Sequence, residues 1–128
     1  MPVESDRSGN STRGSLNYLS GLSAEDAVAR TFETSQHEVL ERRWRGRSGE
    51  VDLILRGRDG LVFVEVKKAE THSAAAERLT PAQIGRIMSA AAEYAEIAAP
   101  GSLTPIRIDA ALVDGQGRIE VLKNISIL

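Results

Sequence analysis

Near the middle of the chain two short runs set apolar against polar positions, Glu50-Val51-Asp52-Leu53-Ile54 and Leu61-Val62-Phe63-Val64-Glu65-Val66-Lys67. A period of two with many β-branched residues predicts strands over 50–56 and 61–67. Between them Gly57-Arg58-Asp59-Gly60 supplies an Asp-Gly pair, the signal of a hairpin, so the two strands should be antiparallel. A strand over 37–45 precedes them, and two more, 105–113 and 118–124, are joined through Asp114-Gly115-Gln116-Gly117. Elsewhere the period is helical. After Ser23, residues Ala24, Ala27, Val28, Thr31 and Phe32 form one stripe of a helix expected to end near Thr34. Ile84, Ile87, Met88, Ala91, Ala92, Ala95 and Ala98 form the stripe of a second helix. Thr80 should cap it, with Pro81 in its first turn and Gln83 at capping-box spacing; Pro100-Gly101 ends it. Residues 71–78 read as a long flexible loop. The expected order is α-β-β-β-α-β-β in a single α/β domain over 20–128, preceded by a disordered arm over 1–19 rich in Ser, Gly, Asn and Arg.

Composition narrows the chemistry. With 128 residues, 41% hydrophobic and 27% charged, the chain can bury one core but not two. Cysteine is absent, and His37 and His72 lie far apart in sequence, so any metal would be held by oxygen ligands. No apolar run approaches the ~20 residues of a membrane span, so a cytoplasmic protein with no membrane contact is expected. The net charge of -2 hides an uneven distribution: Arg42, Arg43, Arg45, Arg47, Arg56 and Arg58 crowd the stretch around the first run. That stretch reads either as a phosphate-facing surface or as a solvated arginine-rich edge. Aromatic content of 4% argues against a base-stacking platform for single strands.

Alternation puts Glu50, Asp52 and Ile54 on one face of the second strand, and Phe63, Glu65 and Lys67 on one face of the third. Two turn lengths keep those faces coincident. A two-residue loop sets Asp52 opposite Lys67, whereas a four-residue loop sets Asp52 opposite Glu65. Two carboxylates on adjacent strands can share a hard divalent cation, leaving room for water and a phosphate oxygen. Lys67 beside them would orient an attacking water or stabilise developing negative charge. The competing reading is a cross-strand ion pair on a wet sheet face. Glu25 borders the apolar stripe of the first helix, either to serve the helix dipole or to point toward the sheet. Gln83 and Arg86 stand where they can face the same region, although capping alone accounts for Gln83.

These residues resemble the YraN family. The matching runs are Leu22-Ser23-Ala24-Glu25, Arg42-Arg43-Trp44-Arg45, Gly49-Glu50-Val51-Asp52-Leu53-Ile54, Phe63-Val64-Glu65-Val66-Lys67, Leu79-Thr80-Pro81-Ala82-Gln83 and Arg107-Ile108-Asp109. The resemblance covers roughly residues 21 to 125. It implies a restriction-endonuclease-like (PD-(D/E)xK) core, a mixed sheet flanked by helices, related to Holliday-junction resolvases. Asp52, Glu65 and Lys67 would fill the motif's three positions, Glu25 the acidic position of the first helix, and Gln83 a polar position on the second. The implied activity is an endonuclease or structure-selective DNA-processing function dependent on Mg²⁺ or Mn²⁺. Asp52, Glu65 and Glu25 would serve the metal, Arg43, Arg45, Arg47 and Lys68 would contact the nucleic acid, and a homodimer would allow both strands to be cut. A non-catalytic nucleic-acid-binding or protein-interaction module on the same fold is the alternative.

Overall fold

The computed structural model describes residues 13–101 and 103–127. Its elements run α1 (Arg13–Thr34), β1 (Glu38–Arg45), β2 (Glu50–Arg56), β3 (Leu61–Lys68), α2 (His72–Glu77), α3 (Pro81–Ala98), β4 (Ile106–Val113), β5 (Ile119–Leu122) and a closing 3₁₀ turn, Ile125–Ile127. Of the arm expected over 1–19, residues 1–12 lie outside the described residues. From Arg13 onward the chain belongs to α1, which thus begins well ahead of Ser23. Among the described residues no helix is long and apolar enough to cross a membrane.

The strands form one open five-stranded sheet in the order β1-β2-β3-β4-β5. All neighbours are antiparallel except β3 and β4, which are parallel from Leu61↔Ile106 to Lys68↔Val113. A parallel pair needs a crossover, and α2 and α3 provide it. Each face buries its own apolar cluster. Ile54, Phe63, Ile108, Ala110 and Leu112 pack with Ile87, Ala90, Ala91 and Tyr94 of α3. Leu53, Leu55, Val62, Val64, Ala111 and Val113 pack with Ala24, Val28, Ala29 and Phe32 of α1. The buried stripe of α3 is therefore rotated from the expected one: Met88 is 44% exposed and Ala92 is exposed, while Ala90 and Tyr94 point inward. Tyr94 also meets Trp44 and Phe63 edge-on, with ring centroids 5.2 and 5.9 Å away. Trp44 is thus a packing residue.

The segment read as a flexible loop over 71–78 contains α2 instead. Thr71 Oγ1 accepts from Ala74 N (3.0 Å), and the alanines that follow are good helix formers. Tertiary contacts fix it in place. Ala75 is buried in the core under α3, and His72 Nε2 lies 2.9 Å from Arg118 O at the β4–β5 turn.

Candidate active site

The turn between β2 and β3 sets the geometry. Gly57 N donates to Gly60 O (2.8 Å), so all four residues loop out, and the pairing runs from Arg56↔Leu61 to Leu53↔Val64. Gly60 has φ +152°, and a Cβ there would lie 2.3 Å from Pro105 O, so the position admits no side chain. This register brings Asp52 to the level of Glu65. There the regular ladder stops: Val66 N donates to the Asp52 carboxylate, Oδ2, at 2.8 Å in place of a main-chain acceptor. Alternation along β2 also reverses at this point, since Leu53 packs under α1 whereas Val51 packs under α3. On β1 the residue at the same level is Arg43, with φ +52°. The sheet is irregular where the candidate residues meet.

Asp52 and Glu65 come within hydrogen-bonding reach of each other in a half-buried position. Lys67 Nζ lies 3.3 Å from Glu65 Oε2, with both side chains about five-sixths buried at 16% and 17% exposure. Gln83, in the first turn of α3, closes the group. With its amide oxygen toward β3, it accepts from Lys67 Nζ at 3.3 Å while its nitrogen donates to Arg78 O at 2.7 Å. This orientation satisfies both ends of the amide, whereas the reverse one offers only a 3.5 Å contact with Thr80 N. Thr80 Oγ1 still caps α3 by accepting from Gln83 N at 3.1 Å.

Burial raises both carboxyls above their ordinary values. For Glu65 the burial penalty is joined by the charge of Asp52 and opposed by Lys67, and the result is about 7. Asp52 is raised by burial too, against the pull of the Val66 N–H. Two desolvated carboxyls this close disfavour double ionisation, and a cation between them reverses that preference.

Glu25 stands beside this group, close enough for the Asp52 charge, after burial, to push its carboxyl upward. Its own bond goes elsewhere, to Arg43 Nε at 3.1 Å. Among the described residues no group of three or more His, Cys, Asp or Glu side chains is gathered as a metal cage. The structure thus brings together Asp52, Glu65, Lys67 and Gln83, and holds Glu25 one ion pair away. The arginines expected to meet phosphate carry carboxylate partners: Arg43 with Glu25 (3.1 Å), Arg45 with Glu50 (3.7 Å) and Arg47 with Glu93 (3.6 Å). The arginine side of each pair is exposed, which leaves these pairs weak and exchangeable. Lys68 is exposed, and alternation sets it on the sheet face opposite Lys67.

A charged residue to which the sequence reading gave no role, although its Arg107-Ile108-Asp109 run carries part of the resemblance, is Asp109, fully buried on β4. Its carboxylate accepts from Arg107 Nε and a terminal guanidinium nitrogen, each at 2.9 Å, and from Asn124 N at 3.0 Å. The Arg-x-Asp spacing places both side chains on one face of a strand, which was the available signal. This cluster anchors the C-terminal segment to the sheet.

The model of "Uncharacterised protein family UPF0102" matches residues 24–113, a span containing every residue of the site. A UPF0102 protein of Ruegeria pomeroyi is 48% identical over 113 residues, covering 88% of this chain and 92% of its own length. Relatives of the same description from Cereibacter sphaeroides (48% identical over 111 residues, 87% and 95% covered) and Dinoroseobacter shibae (44% over 115 residues, 90% and 86% covered) likewise match over most of both chains. On both the family model and these relatives, the chain belongs to the UPF0102, or YraN, family.

Proposed function

We propose that this protein is a Mg²⁺- or Mn²⁺-dependent nuclease, hydrolysing phosphodiester bonds of nucleic acid, in first place DNA, on a restriction-endonuclease-like core. The observation that carries the reading is the pairing of Asp52 and Glu65, two carboxyls held half-buried where β2 and β3 part, with Lys67 bonded to one of them. An ion pair on a wet sheet face has no need of that burial. The donor set is chemically apt for a hard cation, which takes carboxylate oxygens and keeps several waters. Asp52 and Glu65 would hold the ion, and Glu25 would reach it through water. Bound there, Mg²⁺ or Mn²⁺ supplies polarisation of the phosphoryl oxygen and a lowered pKa for attacking water.

The remaining work falls to the chain. Lys67, held between Glu65 and Gln83, presents a fixed positive charge to the attacking water and to the charge developing on phosphate. Arg43, Arg45 and Arg47 exchange their carboxylate partners for backbone phosphates, giving affinity without sequence preference. A homodimer supplies the second site needed to cut both strands of a duplex.

Labelled single-stranded, duplex, flapped and four-way-junction DNA, with RNA alongside, tests the reading in Mg²⁺, Mn²⁺ and EDTA. Cutting that needs the metal and disappears in Asp52→Asn and Lys67→Ala is the expected result. Binding without cutting, or cutting that survives both substitutions, overturns it; the former leaves a non-catalytic nucleic-acid-binding module on this fold.

A further inference from the structure

Beside its buried stripe, helix α3 carries a second row of side chains that runs along the end of the β1–β2–β3 region. At its start Gln83 meets Lys67 of β3 through an amide-to-ammonium contact of 3.3 Å. Near its far end Glu93 accepts from Arg47 N (3.0 Å) and Ser48 N (3.4 Å) in the β1–β2 turn. Arg86 sits between them on the same row, three residues after Gln83 and seven before Glu93, at helical spacing. Its position is independently fixed: a Cβ built on Gly49, the residue that leads into β2, falls 3.9 Å from Arg86 Cβ. The stem of Arg86 therefore stands beside the strand start that carries Glu50 and Asp52, and next to the residue that holds Lys67.

What separates Arg86 from the arginines of β1 and the turn after it is its surroundings. Arg43, Arg45 and Arg47 rest on Glu25, Glu50 and Glu93. Arg86 is exposed, and no hydrogen bond or ion pair to it occurs among the described residues. Glu50, which follows Gly49, and Glu93, two turns further along α3, are engaged with Arg45 and Arg47. A guanidinium with all its donors open, at the rim of a site built for phosphate, is matched to a phosphate oxygen pair.

We infer that Arg86 is a phosphate-binding residue that seats the nucleic-acid backbone between α3 and the β1–β2 turn, on the side of the site away from α1. The inference rests on the nuclease reading for the site's substrate, and adds a residue and the path of the bound strand. Arg86 acts on binding and register, while the Asp52, Glu65 and Lys67 group acts on the phosphate that is cut.

The test is fluorescence anisotropy of a fluorescein-labelled DNA duplex and of a labelled four-way junction, with Ca²⁺ replacing the catalytic metal, over a series of KCl concentrations. Wild type is compared with Arg86→Ala, Arg86→Lys and, as a distant control on α1, Arg30→Ala. Losing one phosphate contact lowers the slope of log affinity against log salt by about 0.9 on duplex DNA. Arg86→Ala should show that drop together with a roughly tenfold weaker complex, with an unchanged melting temperature. Arg86→Lys should restore the slope, and Arg30→Ala should match wild type. A wild-type slope in Arg86→Ala, while wild type itself binds, overturns the inference and leaves the nuclease reading standing. Absence of salt-dependent binding by wild type on every probe overturns both.

Discussion

Replacing Glu65 by glutamine should stabilise the protein above neutral pH, at the position on which the proposed chemistry depends most. In the folded state the Glu65 carboxyl is raised from 4.5 to about 7 by burial and by Asp52. The folded protein therefore holds this proton more tightly than the unfolded chain does. Its contribution to stability is fully present below about pH 4.5 and is lost as pH rises through about 7. At about 1.4 kcal/mol for each pH unit, the ionised form costs the native state roughly 3 kcal/mol at pH 8. Glutamine is isosteric and cannot ionise, so that cost disappears in Glu65→Gln. Part of the gain is offset because Lys67, 3.3 Å away, loses its anionic partner, although Gln83 still accepts from it. The net expectation is about 2 kcal/mol of added stability at pH 8, or roughly 6–10 °C in Tm for a domain of this size. Near pH 4.5, where wild-type Glu65 is already protonated, the two proteins should melt together. Urea denaturation and calorimetry over pH 4.5 to 8 in EDTA provide the measurement. A difference that stays flat across that range, or a variant less stable than wild type at pH 8, would refute the electrostatic account of this site.

Titrating MgCl₂ at pH 8 should raise the wild-type Tm, since a ligand at a hundred times its Kd adds about 2.7 kcal/mol, and Asp52→Asn should abolish the rise; an equal rise in both proteins contradicts a site at Asp52. Arg107→Ala should cost about 3–5 kcal/mol by stranding the buried Asp109 carboxylate, and adding Asp109→Asn should recover part of the loss, because the neutral amide still accepts from Asn124 N; a double variant worse than the single one contradicts this. Gly60→Ala should lower stability by about 2–3 kcal/mol through its φ of +152° and its approach to Pro105 O, read as a fall in the urea midpoint. Thr80→Ala should cost only about 1 kcal/mol, the worth of one capping bond, and a larger loss would mean that Gln83 and Lys67 move with the cap.

Much of the site was legible because its residues are local. The hairpin signal and the alternation through β2 and β3 place Asp52, Glu65 and Lys67 near one another under either even-length turn. The choice between the two turns was not legible, since Gly60 is fixed by Pro105, a contact from a distant part of the chain. Helix α2 escaped the reading because a six-residue helix has too short a period to recognise, and Ala75 is held by the core. The rotation of the α3 stripe had a similar origin: Tyr94 turns inward to meet Trp44 and Phe63, carrying Met88 and Ala92 outward. Glu25 could be placed at the edge of its helix's apolar face but not given its partner. Its bond to Arg43 depends on a positive φ in the middle of β1.

The sequence by itself determined the types of the longer elements, the hairpin, the cap of α3 and the carboxylate–carboxylate–lysine set, because periodicity, turn chemistry and capping act over a few residues. Only the tertiary structure decided where the ladder breaks, which carboxyls are desolvated side by side, which arginines are already paired and which side chains α3 lays across the site. Those outcomes depend on desolvation and on contacts between segments far apart in the chain, and neither is encoded in any single stretch of it.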